Sequence, residues 1–253
     1  MRILISGILG HMGREVEALC RTGYRGAQLA CGVDISAAKT AEELNGVPCV
    51  QSFENAVTDI DCVIDFSHHS GTEALLKFTV RNNISLVLAT TGQTDEERAM
   101  IIEASSKIPL FFASNYSLGI ALLIELAKKT AAAMPDAEIE IIEKHHNRKI
   151  DAPSGTALTL ANELKTVRKD ANIVTGRSGY GKRSPDDIGI HAIRMGNIVG
   201  EHEVIIGTRN QTITLKHEAH SRALFAEGAL AAAQFLMNKG SGLYDMKDLV
   251  GDN

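Results

Sequence analysis

The stretch from Glu140 to Leu158 gathers side chains that can exchange protons and bind anions. It places the following residues within nine positions: Glu143, His145, His146, Arg148, Lys149 and Asp151. An imidazole donates or accepts protons near neutral pH, and a lysine adds a mobile positive charge with a titratable proton. A solvated surface does not require such crowding, and a buried core would not tolerate it. We therefore expect a pocket for a small anionic substrate that is protonated during its reaction, with His145 or His146 and Lys149 taking part.

The residues that follow predict the N-terminus of a helix. The step from Ala152 to Pro153 disfavours helix, and Ser154 occupies the position of an N-cap. Gly155 and Thr156 then open the helix, where backbone N–H groups can receive an anion such as a carboxylate.

Two other interpretations of this stretch stay open at the level of sequence. A pair of histidines at the end of a strand could bind a metal ion, with His217 and His220 as further ligands. No cysteine or carboxylate spacing supports a metal site, so we predict that the protein binds no metal ion here. A purely structural role is the other alternative.

A glycine-rich segment near the start of the chain predicts a dinucleotide site. Gly7, Gly10 and Gly13 form the spacing G-x-x-G-x-x-G between the predicted first strand and first helix. Glycines at this place allow a tight turn and let backbone N–H groups approach a pyrophosphate. The spacing is a variant of the usual fingerprint, so a glycine-rich turn that binds nothing remains an alternative.

Asp34 ends the predicted second strand, 21 residues after Gly13, where a carboxylate can accept hydrogen bonds from the adenosine ribose. A carboxylate there repels a 2′-phosphate, which favours NADH over NADPH. NADPH remains possible through Lys39, the first basic residue after Asp34. The ends of the fourth and fifth strands can line the rest of the cofactor: Ala89, Thr90 and Thr91, and Ala113, Ser114, Asn115 and Tyr116.

The elements that position these residues change in kind along the chain. Up to Asn115, short apolar strands alternate with helical stretches, which predicts a Rossmann-like, doubly wound parallel sheet. After a long predicted helix over 118–133, strands follow in succession and predict an α+β domain with a mixed sheet. The tail returns to helix. We expect a dinucleotide-binding domain of residues 1–116 and 222–253, with an inserted substrate-binding and oligomerisation domain of residues 117–221.

Composition excludes several classes of protein. The chain has 253 residues, a net charge of −5, 44% hydrophobic residues and 23% charged residues. A net negative charge does not indicate the basic surface that nucleic-acid binding requires. No apolar run approaches the ~18 residues that a membrane span requires. Four widely spaced cysteines suit free thiols in a reducing compartment. With no signal peptide in view, we predict a cytoplasmic protein.

The long segment from Glu140 to Ala157, EIIEKHHNRKIDAPSGTA, resembles the signature of the 4-hydroxy-tetrahydrodipicolinate reductase (dihydrodipicolinate reductase) family, which serves lysine and diaminopimelate biosynthesis. The resemblance covers nearly the whole chain. It extends to the Gly7–Gly13 loop, Thr90-Thr91-Gly92, Asn115-Tyr116-Ser117, the segment GNIVGEH at 196–202 and the segment SGLYDM at 241–246.

That resemblance implies roles for individual residues. His145 would be the proton donor or acceptor and Lys149 a proton donor, while His146, Gly155 and Thr156 would bind the substrate carboxylates. The cofactor would contact Gly7, Ile8, Leu9, Gly10, His11, Met12, Asp34, Ala89, Thr90, Thr91, Ala113, Ser114, Asn115 and Tyr116. The family also implies a homotetramer built through the sheets of the second domain.

The chain departs from the family pattern at three places. His11 stands where an arginine is usual, Ala89 replaces a glycine, and Ile35 stands where NADPH-favouring members carry arginine. The last departure weakens 2′-phosphate binding and again favours NADH. Two functions remain as alternatives to the reductase: another two-domain NAD(P)-dependent dehydrogenase, such as an amino-acid dehydrogenase, or a non-enzymatic dinucleotide-binding sensor.

Overall fold

The computed structural model describes residues 1–37 and 46–251 in full and the backbone of residues 42–44. Lys39, proposed above as a partner for a 2′-phosphate, lies outside the described residues. The chain divides into two compact units: Met1–Leu118 together with Ala223–Asn253, and Gly119–Arg222.

The first unit is built on one sheet flanked by helices. Its strands, numbered along the whole chain, are β1 (Arg2–Ser6), β2 (Gln28–Val33), β3 (Glu42–Leu44), β4 (Val47–Val50), β5 (Cys62–Asp65), β6 (Ser85–Leu88), β7 (Pro109–Phe112) and β13 (Gly242–Tyr244). Its helices are α1 (His11–Arg21), α2 (Thr72–Asn82), α3 (Asp95–Ser105), α6 (Ala223–Leu236) and α7 (Met246–Gly251).

The order across this sheet is β13-β7-β6-β5-β1-β2-β4-β3. Among the strands described, only β3 is antiparallel to its neighbour, and it forms a hairpin with β4. The chain winds outward in one direction from β1 through β2 and in the other direction from β5 through β7. The carboxyl ends of β1 and β5 therefore flank the switch point, where open α/β sheets bind their ligands.

Side-chain alternation along the strands supplies a core on each face of the sheet. Leu4, Val63 and Leu86 pack in one cluster with residues of α2 and α3, such as Leu75 and Ile101. Ile3 and Ile5 point to the opposite face, because successive side chains in a strand alternate. On that face α6 packs against α1 and against β5, β6 and β7. The prediction of a doubly wound parallel sheet is confirmed.

The second unit is a mixed sheet with two helices. It contains α4 (Leu118–Ala133), β8 (Glu138–His145), α5 (Gly155–Lys165), β9 (Asn172–Thr175), β10 (Asp187–Arg194), β11 (Gly200–Gly207) and β12 (Thr212–Ala219). The strand order is β12-β11-β8-β10-β9. β10 runs parallel to β8 and β9, whereas β11 runs antiparallel to β8 and β12, so the prediction of a mixed sheet is confirmed.

One face of this second sheet is covered and the other is half-exposed. Ile139 and Ile141 of β8 pack in a cluster with Leu123 of α4 and Leu160 of α5. The helix α4 begins and ends where the sequence pattern predicts. Some short elements were not predicted: β3, β4, β9, β13 and α7. They hold three to six residues each, too few for a hydrophobic period to be recognised.

Candidate functional site

The glycine loop between β1 and α1 has the backbone that a nucleotide site requires. Gly7 adopts a positive φ of 78°, and its N–H donates to the carbonyl of Val33 at 2.8 Å. A Cβ placed on Gly13 would lie 2.2 Å from the Gly7 carbonyl oxygen. Only glycine therefore lets the start of α1 pack against the loop, which aims the helix N-terminus at the crevice beside β1.

Asp34 connects this loop to the end of β2. Its Oδ2 accepts a hydrogen bond from the Leu9 N–H at 3.0 Å, and its Oδ1 accepts one from the Ser36 N–H at 2.9 Å. Ile35, next to it, is 89% exposed. The carboxylate thus has both a structural role in the loop and a position at the rim of the crevice.

A cavity of about 1120 Å³ opens beside the loop and lies within the first unit. Its lining includes Gly7, Leu9, Gly10, Asp34, Lys77 and Arg81. This volume and the tight glycine turn fit a dinucleotide. Ile8 and Tyr116 have buried side chains, so from these two residues a ligand would meet chiefly backbone atoms.

A buried carboxylate behind the cavity connects the ends of neighbouring strands. Asp65, at the end of β5, accepts hydrogen bonds from Ser67 Oγ at 2.6 Å and from Thr90 Oγ1 at 2.5 Å. Burial raises the pKa of Asp65, although hydrogen bonds from Ser6, Ser67 and Thr90 act in the opposite direction. Asp65 is not one of the cofactor contacts predicted from the sequence. Its contact with Thr90 depends on the pairing of β5 with β6.

In the second unit, β8 carries His145 on the covered face of its sheet. Burial alternates along the strand, so that Glu143 and His145 lie on the same side as Ile139 and Ile141. Glu143 is fully buried and His145 is 9% exposed. Two titratable side chains thus extend the apolar stripe of the strand, and they require polar partners there.

Glu143 receives these partners from three directions. Its carboxylate accepts hydrogen bonds from Arg194 Nη1 and Nη2 at 2.7 and 2.6 Å and from the Ser154 N–H at 3.0 Å. The His145 Nδ1 lies 2.6 Å from Glu143 Oε2. Burial favours the neutral carboxyl, but these contacts outweigh burial and hold the pKa of Glu143 below its usual range. The group is therefore an ionised carboxylate near neutral pH.

Lys149 lies in the loop between β8 and α5. Its Nζ is 2.8 Å from Asp151 Oδ1, and its side chain is 23% exposed. The helix α5 begins at Gly155, as the predicted N-cap requires, and Ser154 Oγ accepts a hydrogen bond from the Ala157 N–H at 3.2 Å. A positively charged side chain and a helix N-terminus thus occur in one short segment.

His146 and His202 complete the group of imidazoles. The His146 Nδ1 is buried and has no hydrogen-bond partner among the described residues. Desolvation, followed by the positive charges of Arg148 and Arg222, lowers the pKa of His146. The ring of His202 lies 5.2 Å from that of His145, and its Nε2 is 3.1 Å from Ser154 Oγ.

Three residues of this site were not predicted in the roles that the structure gives them. Glu143 is a buried hydrogen-bond acceptor, and Arg194 and His202 lie beside it on neighbouring strands. A signal for Glu143 was available, since the alternation of β8 places it on the apolar side. Arg194 and His202 are neighbours across strands, in register with His145 and Glu143 respectively. Only the sheet pairing brings them together.

The described part of the chain holds neither a candidate metal centre nor a candidate membrane span. No group of three or more His, Cys, Asp or Glu side chains is placed to hold a metal ion there. No described helix is long and apolar enough to cross a membrane.

A Rossmann-like sheet with a glycine loop, together with a mixed-sheet unit that holds imidazoles around a buried carboxylate, is typical of a two-domain pyridine nucleotide-dependent oxidoreductase. The comparisons with known proteins are more specific. The chain belongs to the dihydrodipicolinate reductase family: residues 1–116 match the family's N-terminal model and residues 119–250 its C-terminal model.

Relatives cover nearly the whole chain. A 4-hydroxy-tetrahydrodipicolinate reductase of Clostridium novyi (strain NT) is 40% identical over 98% of this chain and 98% of its own. Another, of Caldanaerobacter subterraneus subsp. tengcongensis, is 42% identical over 99% of this chain and 98% of its own. The solved structure of dipicolinate-bound dihydrodipicolinate reductase from Paenisporosarcina sp. TG-14 matches with a TM-score of 0.81, 26% identity and 97% coverage of both chains.

These similarities confirm the family and the class of enzyme that the sequence predicts. An oxidoreductase of this family is supported over both alternatives, the amino-acid dehydrogenase and the non-enzymatic sensor. Use of a pyridine nucleotide follows from the family.

Proposed function

We propose that the chain catalyses the reduction of 4-hydroxy-tetrahydrodipicolinate to tetrahydrodipicolinate, a step of lysine and diaminopimelate biosynthesis, with His145 and Lys149 as the catalytic residues. The observation that supports this most is the contact of His145 Nδ1 with the buried Glu143 carboxylate at 2.6 Å, on a strand that leads to Lys149 and α5. When bound, the reduced nicotinamide would supply a hydride to the conjugated ring that remains once the 4-hydroxyl group of the substrate has left as water.

The second unit supplies the groups that bind and protonate the substrate. The ring carries two carboxylates, and the N-terminal turn of α5 at Gly155 and Thr156, together with His146, is suited to hold them. Lys149 exchanges its partner Asp151 for the substrate, and its charge stabilises negative charge that develops on the ring. His145 then delivers a proton from Nε2. A relative of 26% identity binds dipicolinate, a planar dicarboxylate, which agrees with this choice of ligand.

The predicted dinucleotide-binding domain, residues 1–116 with 222–253, binds the dinucleotide in this proposal. Its contacts are with the loop Gly7–Met12, with Asp34, and with the strand ends at Ala89–Thr91 and Ala113–Tyr116. NADH is the preferred cofactor because the Asp34 carboxylate lies at the rim of the cavity and the neighbouring Ile35 has no charge. NADPH is also accepted, since Lys77 and Arg81 line the same cavity and can offset part of the repulsion.

Residues 117–221 also form the contacts of a homotetramer in this proposal. The half-exposed face of the second sheet carries Ile142, Ile193 and Ile205 beside charged side chains. On that face Glu201 contacts Lys144 and lies 3.2 Å from Lys216. Isoleucines on a half-exposed face can form the apolar core of an interface between subunits, with the charged side chains around them as its polar rim. Sedimentation velocity should give a tetramer, and Ile205→Lys should dissociate it. We further infer a cytoplasmic enzyme that binds neither membrane nor nucleic acid.

A steady-state assay tests the proposed function directly. The substrate is made enzymatically in the cuvette, and loss of absorbance at the nicotinamide band is followed with NADH and NADPH in turn. We expect turnover with both cofactors and a higher kcat/KM with NADH. Simple keto acids with ammonia serve as the control substrates. Turnover with the keto acids but not with the cyclic substrate would reject the proposal in favour of an amino-acid dehydrogenase.

A further inference from the structure

Glu143 is a fully buried carboxylate that does not lie among the proposed substrate contacts. It accepts four hydrogen bonds, from the two terminal nitrogens of Arg194, from the Ser154 N–H and from His145 Nδ1. A buried carboxylate is costly unless it is paired and hydrogen-bonded, and this one has both kinds of partner. Because burial of a charged carboxylate costs free energy, we expect Glu143 to have a role that an apolar residue could not fulfil.

The contact with His145 determines which nitrogen of the imidazole can take part in proton exchange. An ionised carboxylate only accepts hydrogen bonds, so His145 must carry a proton on Nδ1. The proton delivered to a substrate then resides on Nε2. A Cβ placed on Gly200 would lie 3.1 Å from this Nε2, so the glycine keeps that edge of the ring clear of side-chain atoms.

The contact with Ser154 connects the same carboxylate to α5. Ser154 is the N-cap residue of α5, and its side chain accepts from Ala157 at 3.2 Å. One oxygen of Glu143 therefore holds the backbone at the start of the helix, while the other holds His145. Arg194 bonds to both oxygens, which fixes the rotation of the carboxylate plane.

We propose that Glu143, clamped by Arg194, is a positioning residue that orients His145 for proton transfer through Nε2 and fixes the start of α5 relative to it. This inference rests on the proposed function, because it assigns a role in that same reaction. The proton donor and the carboxylate-binding helix are thereby held as one unit, so that a substrate bound at α5 meets an imidazole already in the required tautomer and orientation.

The charge of Glu143 acts on His145 among several other groups. The titratable and charged side chains around this imidazole and its neighbours are Glu143 and His146 near its own strand end, Lys149 and Asp151 of the following loop, Arg194 of β10, His202 of β11 and His217 of β12. Glu143 is the one in direct contact with Nδ1, at 2.6 Å.

Replacement Glu143→Gln keeps the shape of the side chain and removes its charge. We expect kcat to fall about 10- to 100-fold, since a positioned general acid contributes about 100-fold or more. The alkaline limb of the kcat–pH profile should move to lower pH, because the replacement removes the negative charge that lies against Nδ1. The KM for the substrate should rise while the KM for NADH stays constant. A role in stability alone would lower the amount of folded enzyme without moving the pH limb.

The matched control is Glu163→Gln. Glu163 is a half-buried, ion-paired carboxylate of the same unit, 3.2 Å from Lys128, and does not belong to the proposed site. This variant should keep the pH profile and kcat of the wild type. A second measurement does not depend on folding of a variant: ¹⁵N NMR of the wild type should find neutral His145 in the Nδ1–H tautomer. An Nε2–H tautomer, or an unmoved pH limb in active Glu143→Gln, would overturn the inference and leave the proposed function intact. If the wild-type enzyme shows no turnover, both the inference and the proposed function are rejected.

Discussion

Ser154 Oγ lies 3.1 Å from His202 Nε2, and both side chains are buried between β11 and the start of α5. The same hydroxyl caps the helix by accepting from the Ala157 N–H. Desolvation, together with the positive charge that His145 can carry, lowers the pKa of His202 from 6.5 to about 4. This imidazole is therefore neutral in the folded protein wherever the enzyme is expected to work, and it serves as a hydrogen-bond partner of the N-cap.

The depressed pKa of His202 predicts a loss of stability in mild acid. Between pH 6.5 and 4 the unfolded chain binds a proton on this histidine that the folded chain does not bind, so the free energy of unfolding falls as the pH falls. The contribution of this one group across that interval is about 3 kcal/mol. Urea unfolding at a series of pH values, followed by circular dichroism, measures it.

His202→Gln keeps a hydrogen-bonding side chain and removes the titration. Its unfolding free energy should depend less steeply on pH between 6.5 and 4 than that of the wild type. His220→Gln removes an exposed histidine of the same unit and provides the comparison. Equal slopes for all three proteins would show that His202 does not control acid stability.

Replacement of Lys149 should reduce turnover far more than cofactor binding. Lys149→Ala removes both the charge and the proton and should lower kcat by about 100-fold or more. Lys149→Arg restores the charge, yet a guanidinium does not give up its proton, so only part of the activity should return. NADH affinity, measured by fluorescence titration, should stay within about twofold in all variants.

Lys169→Ala, which replaces an exposed lysine of the same unit, is the control and should not change kcat. His145→Ala should give a loss similar to that of Lys149→Ala. If both alanine variants kept near-wild-type turnover, neither residue could be the proton donor.

Asp34 should determine the ratio of NADH to NADPH use. Asp34→Asn keeps an oxygen that can accept from the Leu9 N–H, a bond of 3.0 Å in this chain, but removes the negative charge. We expect the ratio of kcat/KM values to move toward NADPH by about 10-fold, because the repulsion of a 2′-phosphate disappears. Adding Ile35→Arg should increase the change. Asp59→Asn, at an exposed residue of the same unit, should leave the ratio as it is.

Gly13 should tolerate no side chain. An alanine Cβ would lie 2.2 Å from the Gly7 carbonyl oxygen and 2.6 Å from the Ile8 Cα, so α1 or the loop must shift. Gly13→Ala should lower NADH affinity by at least about 10-fold and cost about 1–3 kcal/mol of stability. For Gly240→Ala the described residues leave open space around the new methyl group, and binding should persist. Calorimetric titration and thermal unfolding distinguish the two variants, and retained affinity in Gly13→Ala would exclude a pyrophosphate contact at this loop.

Most elements that position the candidate site could be predicted from local patterns. The alternation of apolar strands with helices predicted β1, β2, β5, β6 and β7 to within a residue or two, because these strands are buried on both faces. The N-cap at Ser154 predicted the start of α5 for an equally local reason, since a side chain there bonds within its own first turn.

Local sequence patterns could not predict the edge strands. β13 holds three residues, Gly242–Tyr244, and pairs with β7 although about 130 residues separate them along the chain. Its sequence carries no recognisable period. What makes it a strand is the unpaired edge of β7, and that edge exists only once the sheet has formed.

By itself, the sequence determined the doubly wound sheet, the glycine loop, the family and the residue types of the proton-exchanging stretch, since hydrophobic period, turn chemistry and motif spacing are local properties. Tertiary structure decided that Glu143 is a buried carboxylate rather than part of a charged surface. Its hydrogen-bond partner Arg194 and its cross-strand neighbour His202 come from β10 and β11, more than fifty residues further along the chain, and strand pairing brings them to it. Pairing between strands distant in sequence depends on the packing of the whole unit, so no local pattern specifies it.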